Sequence, residues 1–339
     1  MVATTRMRDA TLSDVAKAAG CSPATVSRVL NNNPTVGDDV RQRVIEAVAA
    51  VGYEPTPSAR ISKLRLVGAV IPTLGHAIYA TMIDGLEARL AEKDVGLIIS
   101  TSRYDVDLEL EQVRQLLERG ASSIVLVGGL HRPQTIELLE RRQIPYVFTY
   151  TCDPQGDAAA IGFDNRKAGR MGARFLFDLG HRKMGMIAGL TQDNDRAAER
   201  VAGFVAESAA AGIDPKNITV IEAPYQLSAG YSTMATLMNS AQPPTAIFCG
   251  SDILAVGALK YCHQNGIDVP GQVSILGFDN LEIARISTPE LSTLEVPAKE
   301  MGRLAGDYVL ASPAQRRHLH RHELSVSLVV RGTTAPVAG

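Results

Sequence analysis

Cysteine is scarce in this chain, and tryptophan is absent. The sequence has 339 residues and four cysteines, which are Cys21, Cys152, Cys249 and Cys262. Their spacing contains no pair typical of a zinc knuckle or a redox motif. The sequence therefore predicts a reduced chain in the cytosol.

Long apolar segments and catalytic signatures are missing as well. The first residues lack the apolar core of a signal peptide, and no apolar run approaches the roughly 20 residues that a membrane helix needs. No Gly-x-Gly-x-x-Gly or P-loop run follows a predicted strand, and no Gly-x-Ser-x-Gly elbow or clustered pair of acids is present. We therefore expect a cytoplasmic protein without a membrane partner, without a cofactor and without enzymatic activity.

Charge and length divide the chain into a small and a large part. Through Arg65, nine Lys or Arg residues stand against six Asp or Glu residues, whereas the remainder has 25 basic and 30 acidic residues. The formal net charge of −2 argues against indiscriminate binding of polyanions. Because the chain is too long for one ordinary core, we expect a basic head followed by a body that splits into two halves.

The first segment with a clear pattern predicts two short helices joined by a tight turn. Thr11 and Asp14 can cap each other ahead of an apolar stripe, and Gly20 follows that stripe where a left-handed backbone is needed. Ser22 can then cap a second helix with Pro23 at its first position. This arrangement is a helix-turn-helix, which places its second helix in a DNA groove.

The second helix exposes a small polar face. The residues left outside its apolar stripe are Ala24, Thr25, Ser27 and Arg28. Such a face suits phosphates and base edges in a major groove. A third helix is predicted from Gly37 to Val51, and Gly52 ends it. Helix spacing alone leaves open a three-helix miniature domain without a nucleic-acid role, because caps and stripes specify helices and not partners.

The body alternates short apolar runs with longer amphipathic stretches, as parallel α/β sheets do. The first series of predicted strands covers 66–71, 95–100, 123–127 and 146–148. The series restarts at 159–164 and continues with 183–188, 218–221, 246–249 and 273–276, with a final strand at 324–330. We therefore expect an α/β body of two Rossmann-like lobes with parallel sheets and with crossovers near 160–164 and 285–295.

The head resembles the DNA-binding head of the lactose/galactose/purine repressor family. The resemblance rests on Thr11-Leu-x-Asp-Val-Ala, Gly20-x-Ser22, Thr25-Val-Ser-Arg-Val, Asn31, Val40-Arg41-x-x-Val44 and Gly52-Tyr53-x-Pro55. It implies base-reading positions at Pro23, Ala24 and Arg28, and backbone-contacting or helix-packing positions at Thr25, Ser27 and Asn31. The rest of the expected DNA-binding set in the head is Thr11, Ser22 and Tyr53. Relatives usually have serine where this chain has Gly37, so one side-chain contact is missing.

The resemblance also implies a hinge between the head (1–55) and the body (66–339). Relatives usually follow Ala-Arg with a leucine that wedges into the minor groove. Here Arg60 is followed by Ile61 and Ser62, so serine stands at the leucine position. We expect 56–65 to form a short hinge helix on DNA, with Arg60 at phosphates and Ile61 or Leu64 as the substitute wedge.

The body resembles the effector domain of the same family, which shares its fold with periplasmic sugar-binding proteins. The anchors of this resemblance are Ile71-Pro72, Gly162-Phe-Asp-Asn165, Gly180-His-Arg182, Arg200-x-x-Gly203-Phe204, Ser251-Asp252 and Gly277-Phe-Asp279. It implies a transcriptional repressor that binds a palindromic operator in double-stranded DNA as a homodimer. It also implies that a small polyhydroxylated effector, a sugar, sugar acid or derivative, binds between the lobes and switches the operator affinity.

The expected effector contacts follow the carboxyl ends of the strands, where ligands bind in open α/β sheets. The resemblance gives Arg200 bonds to effector oxygens, Asp279 bonds to its hydroxyls, and Tyr225 a stacking role. The other expected members are Thr73, His76, Tyr79, Tyr150, Asp193, Arg196 and Ser251. Relatives commonly have a carboxylate at the position of Tyr150. A solvated charge at Arg200 and a helix-capping role at Asp279 remain open alternatives.

Two other interpretations concern the last residues and the whole chain. His318, His320 and His322 alternate and could share one face of a strand for a metal, but a polar segment leading into the final strand accounts for them without one. We therefore expect no metal. The alternative function is a freestanding cytoplasmic sugar-binding module without a role in DNA binding.

Overall fold

The computed structural model describes residues 10–30, 33, 35–53, 65–152 and 158–337. The chain divides into two compact units, Met1–Leu64 and Arg65–Gly339. Of the expected hinge, Arg65 alone falls within the described residues. In the described part of the chain, every helix is too short or too polar to cross a membrane.

The first unit contains the three expected helices, α1 (Leu12–Ala19), α2 (Pro23–Leu30) and α3 (Asp38–Val51). The reciprocal cap between Thr11 and Asp14 is present, and Gly20 ends α1 with φ of 64°. The Thr25 amide donates to Ser22 Oγ at 3.1 Å, which caps α2. Each predicted cap is therefore present at the position where the sequence placed it.

The core of this head is small and apolar. Val15, Val26 and Val44, one from each helix, are 0% exposed. Burial of a valine side chain stabilises a fold by about 1.5 kcal/mol, so a few such residues hold the three helices together. Gly37 precedes α3 and makes no side-chain hydrogen bond to it, in agreement with the missing contact noted above.

The second unit is the α/β body. Its strands are β1 (Leu66–Ile71), β2 (Gly96–Thr101), β3 (Ala121–Val127), β4 (Tyr146–Thr149), β5 (Ala160–Gly162), β6 (Met184–Gly189), β7 (Ile218–Ala223), β8 (Ala246–Cys249), β9 (Ser274–Asp279), β10 (Ser292–Glu295), β11 (Arg321–Glu323) and β12 (Ser327–Val329). Its α-helices are α4 (Ala77–Ala91), α5 (Val106–Glu118), α6 (Pro133–Arg141), α7 (Asn165–Asp178), α8 (Asp195–Ala210), α9 (Leu227–Met238), α10 (Asp252–Gln264), α11 (Glu282–Ile286), α12 (Ala298–Leu310) and α13 (Pro313–Arg316), with a short 3₁₀ turn at Pro215–Asn217.

The strands form two six-stranded sheets, one in each lobe, in the orders β11-β5-β4-β3-β1-β2 and β12-β10-β9-β8-β6-β7. Pairing is parallel throughout the first sheet. Alternate residues of β3 pack into different cores, Ile124 and Leu126 on one face and Val125 and Val127 on the other. Burial on both faces explains why the strands are continuous apolar runs in the sequence.

Two strand assignments differ from the sequence prediction. The segment at 159–164 was expected to open the second lobe, but β5 pairs with β4 through Phe148 and Ala160 and so completes the first sheet. The final strand expected at 324–330 is present in part, as β12, which pairs antiparallel with β10 of the second sheet. The strand β11 just before it was not predicted, and it pairs with β5 of the first sheet.

The chain therefore crosses between the lobes three times. The first crossing follows β5, the second lies between β10 and α12, just after the expected 285–295, and the third lies between β11 and β12. The third crossing was not predicted, because the edge strands on either side of it are only three residues long. Such short segments have no readable periodicity.

Candidate functional site

The outer face of α2 is the candidate DNA surface of the head. Pro23, Ala24 and Arg28 are exposed, whereas Thr25 and Ser27 are partly buried. The Ser22 and Thr25 hydroxyls lie 2.9 Å apart, so these two side chains hold each other at the start of α2. The expected base-reading positions thus form an exposed surface, and the expected packing positions lie beside it.

The other expected DNA contacts are not part of this exposed face. Tyr53 is partly buried and packs against the head core. Thr11 is engaged in the cap of α1. Asn31, Arg60, Ile61 and Leu64 lie outside the described residues.

The candidate effector site is a cavity between the two lobes of the body. It is lined by His76, Ala77, Ile78, Tyr79, Tyr150, Phe163, Asn194, Arg196, Arg200, Tyr225, Gly250, Ser251, Ile253, Phe278, Asp279 and Leu281. These residues lie at or after the carboxyl ends of strands in both sheets, where ligands bind in open α/β folds.

Most of the expected effector residues meet in this cavity. The members of the predicted set that line it are His76, Tyr79, Tyr150, Arg196, Arg200, Tyr225, Ser251 and Asp279. Thr73 is not among the lining residues, and its Oγ1 accepts a bond from the Gly75 amide at 3.0 Å within its own loop. Asp193 lines a smaller neighbouring recess together with Arg196.

Arg200 is a buried cation of α8 and is 7% exposed. Its Nη1 donates to Asn165 Oδ1 at 2.5 Å, and its Nη2 donates to the Tyr225 hydroxyl at 3.0 Å. The guanidinium lies over the Phe278 ring, 4.5 Å from the centroid. Its Nε is buried without a hydrogen-bond partner. The alternative of a solvated helix charge is therefore wrong.

Arg196, one turn earlier on α8, joins the two lobes. Its Nη1 donates to the Val127 carbonyl of β3 at 3.2 Å and to Asp195 Oδ1 at 2.8 Å. Asp195 Oδ2 in turn accepts from the Gly129 amide at 2.8 Å. Because β3 belongs to the first lobe and α8 follows a strand of the second, these bonds stabilise the present closure of the lobes.

Asp279 ends β9 with an unusual backbone. Its φ is 113°, and that of Asn280 is 56°, conformations that residues other than glycine rarely adopt. Among described residues, no partner hydrogen-bonds the carboxylate, so it does not cap the short helix that follows. Burial, reinforced by the nearby Asp252 carboxyl, raises the pKa of Asp279 well above its usual value.

Asp252 is the support beneath this turn and is 0% exposed. Its Oδ1 accepts from the Thr293 hydroxyl at 2.6 Å, and its Oδ2 accepts from the Leu281 amide at 2.7 Å. Burial raises the pKa of Asp252 to about 6. Asp252 thus fixes the loop that carries Asp279 into the cavity.

Ser251 starts α10, and its hydroxyl accepts from the Leu254 amide at 3.4 Å. The neighbouring aromatic side chains form the wall of the cavity. Tyr225 and His76 pack edge to face with centroids 5.1 Å apart. The Tyr225 ring passes so close to Gly189 that a Cβ there would lie 2.1 Å from its hydroxyl oxygen. A glycine at the end of β6 is therefore required for this ring position.

Tyr150 closes the cavity from the first lobe and offers no free polar group. Its hydroxyl donates to the Ile78 carbonyl at 2.8 Å, and its own carbonyl accepts from Asn165 Nδ2 at 2.9 Å. It is 4% exposed and packs against Tyr79. Where relatives have a charged group, this chain therefore has a structural aromatic residue.

Sequence reasoning missed several residues of the site. Tyr104 has φ of 62° and contacts two lining residues, since its hydroxyl lies 3.2 Å from His76 Nδ1 and 3.3 Å from the Tyr79 hydroxyl. Asn165 orients Arg200, as described above. The signal for Asn165 was available, since Gly162-Phe-Asp-Asn165 was recognised as an anchor, whereas nothing in the sequence marks Tyr104. In the part of the chain that the structure describes, no three potential ligands are grouped for a metal, the three C-terminal histidines included.

Comparisons with known proteins agree for both units. Residues 11–56 match the model of bacterial regulatory proteins of the lacI family, and residues 173–334 match that of a periplasmic binding protein-like domain. An uncharacterised HTH-type transcriptional regulator from Streptomyces limosus is 33% identical over 96% of this chain and 94% of its own length. The HTH-type transcriptional repressor PurR of Pectobacterium atrosepticum is 29% identical over 96% of this chain and 97% of its own.

Solved structures share the architecture. The structure of a Lac repressor dimer bound to operator and the anti-inducer ONPF aligns with a TM-score of 0.83 and 26% identity, over 97% of this chain and 100% of that chain. A lacI-family regulator from Silicibacter pomeroyi aligns with a TM-score of 0.85 and 25% identity, over 96% and 99% of the two chains. This chain therefore belongs to the lacI family of bacterial regulatory proteins and is a DNA-binding transcriptional regulator.

Proposed function

We propose that the protein is a repressor that binds a palindromic operator as a homodimer and is switched by a small polyhydroxylated effector bound between the lobes of its body. The observation that carries this proposal is the interlobe cavity, in which Arg200, Asp279 and Tyr225 meet. Arginine and carboxylate groups bind adjacent hydroxyls, and a tyrosine ring packs against the apolar face of a sugar.

Support for the DNA part comes from the head. Arg28 projects from α2 with its side chain exposed, a position suited to bidentate contact with a guanine edge in the major groove. One such helix reads a short half-site, so two-fold symmetry would double both contacts and specificity. The Lac repressor structure of similar architecture holds an operator and a small anti-inducer.

The DNA part is tested by selecting bound duplexes from a random library and measuring affinity by fluorescence anisotropy. We expect a palindromic sequence, and we expect Arg28→Ala to weaken binding to it by about 10-fold or more. Equal loss on operator and random DNA would reduce Arg28 to a phosphate contact. If the intact chain selects no duplex, the freestanding sugar-binding module is the correct interpretation. Light scattering at micromolar concentration tests the dimer.

The effector part is tested with Arg200→Ala and Asp279→Ala. Sugars, sugar acids and nucleosides are first screened by thermal shift, since a ligand of the native state raises Tm. Both variants should lose the effector response of the operator complex while retaining operator affinity. An unchanged response in both would place the effector outside the interlobe cavity.

A further inference from the structure

The two buried arginines of α8 differ in how their charge is neutralised. Arg196 and Arg200 are each 7% exposed and lie one turn apart. Arg196 forms an ion pair with Asp195 at 2.8 Å. Arg200 donates to an amide oxygen and a tyrosine hydroxyl, and no carboxylate of the described residues forms an ion pair with it. The two sites thus differ in the presence of a counter-charge.

A buried guanidinium without a counter-charge is costly. Removing a cation from water is compensated only when an anion and a full set of hydrogen bonds replace the solvent. At Arg200 the set is incomplete, because Nε is buried and has no partner. The ring of Phe278 beneath the guanidinium offsets part of this cost through a cation–π contact. Arg200 also lines the cavity, so a ligand there can supply the anion that the described residues do not.

The rest of the cavity does not supply the missing charge. Asp279 is the acidic residue that lines it, and burial favours the protonated form of its carboxyl by raising its pKa. His76 lines it as well, and burial lowers its pKa, which favours the neutral ring. Arg196 is thus paired with Asp195, and burial disfavours the ionised form of Asp279 although the nearby Arg200 opposes this shift, so Arg200 is the cation of the cavity without an ion pair among the described residues.

We propose that the effector is a hydroxylated carboxylic acid whose carboxylate binds Arg200 in the interlobe cavity. The carboxylate would accept from the guanidinium of Arg200, which lines the cavity, and arginine is the side chain best suited to binding carboxylates. The hydroxyl groups would be left for Asp279 and Ser251. This inference rests on the proposed function and narrows its effector from polyhydroxylated compounds in general to acidic ones.

The first test needs no ligand. Arg200→Gln removes the uncompensated charge and keeps a donor for Asn165, whereas Arg196→Gln removes a compensated charge and leaves Asp195 unpaired. We expect Tm of the ligand-free chain to rise by roughly 2 °C for Arg200→Gln and to fall by roughly 4 °C for Arg196→Gln. If Arg200→Gln lowers Tm as much as Arg196→Gln does, the guanidinium is already neutralised and the inference is overturned.

The second test compares acids with their neutral counterparts by thermal shift and calorimetry at constant ionic strength. The pairs are galacturonate with galactose, glucuronate with glucose, and gluconate with glucitol. We expect an acid to raise Tm more than its neutral partner, and its affinity to fall about 10-fold or more in Arg200→Gln. Tighter binding of a neutral partner would overturn the carboxylate inference and leave the proposed repressor with a neutral effector. Loss of operator binding would instead contradict the proposed function.

Discussion

The head and the interlobe cavity are assembled in opposite ways. The head is built from three helices within about forty consecutive residues, and each helix is started or ended by a residue next to it, such as Thr11, Gly20 or Ser22. The cavity draws its lining from residues 76 to 281, and its key side chains are held by partners far away in sequence. Asn165, for example, holds Arg200 from 35 residues away.

This difference separates local from long-range determinants of function. A capped helix is specified by its own sequence, so a substitution in a head helix should affect the stability and DNA binding of the head alone. A cavity between lobes depends on the positions of several loops. Substitution of a supporting residue should therefore change effector affinity even where that residue does not contact the effector. The predictions below are ordered from the largest expected effect to the smallest and test whether the two regions respond separately.

The strongest test is a charge placed in the head core. Val26→Asp should unfold the head, because burying an unpaired carboxylate costs several kcal/mol in a core this small. We expect operator affinity to fall by about 100-fold or more, with effector binding unchanged. On the intact chain, fluorescence anisotropy measures operator affinity and calorimetry measures effector affinity. Ile45→Asp is the control, since Ile45 is 52% exposed on α3. A loss of effector binding in Val26→Asp would show that the cavity depends on the folding of the head.

The pH dependence of stability tests the role of Asp252, which fixes the loop that carries Asp279. The pKa of Asp252 is raised to about 6 in the folded chain, so this carboxyl binds its proton more tightly folded than unfolded. Its contribution to stability is full below about pH 4 and is lost as pH rises through about 6. The loss should amount to about 2–3 kcal/mol in the free energy of unfolding.

Urea unfolding at pH 5 and pH 7.5 measures about half of this contribution, roughly 1.4 kcal/mol, because pH 5 lies one unit below the folded pKa of about 6. Wild type should lose more stability between the two values than Asp252→Asn, in which this titrating group is absent. Comparing the two changes removes the effect of groups whose pKa does not depend on Asp252, such as His181, whose pKa is lowered by burial. Equal pH dependence in both chains would show that Asp252 does not titrate in this range.

The close approach of Tyr225 to Gly189 gives a third test. In Gly189→Ala the new Cβ would lie 2.1 Å from the tyrosine hydroxyl oxygen, so the ring must move away from Arg200. We expect effector affinity to fall by about 10-fold, with operator affinity retained. Gly185→Ala on the same strand is the control, because its nearest neighbour would be 3.3 Å away. A similar loss in both variants would assign the effect to the strand and not to the ring.

The same contrast explains how far the sequence could be interpreted. The three helices of the head were predicted correctly because caps, glycine turns and apolar stripes are local signals. The strand series was mostly right, but β5 was placed in the wrong lobe, since sheet membership depends on pairing with β4 and not on the strand itself. Most of the expected residues that follow strand ends line the cavity, whereas Tyr104, which contacts His76 and Tyr79 from the loop after β2, was missed because that loop has no motif. The resemblance to a family supplied Arg200 and Asp279, and spacing alone could not have done so.

The smallest expected effect concerns the two ends of α3, which both carry glycine. Gly37 precedes the helix with φ of −63°, and a Cβ there would meet no atom within 4 Å, so Gly37→Ser can add the missing side-chain cap without strain. We expect it to stabilise the head by a few tenths of a kcal/mol.

Gly52, at the other end, has φ of 62°, so Gly52→Ser should destabilise the head by about 1 kcal/mol although it too has open space around it. Amide hydrogen exchange of 38–51 in the intact chain should slow in the first variant and quicken in the second, while exchange in the body stays unchanged. Opposite responses at the two ends of one helix would show that local backbone conformation, and not the side chain added, governs the stability of the head. If body amides changed together with those of α3, the stability of the head would be coupled to that of the effector lobes.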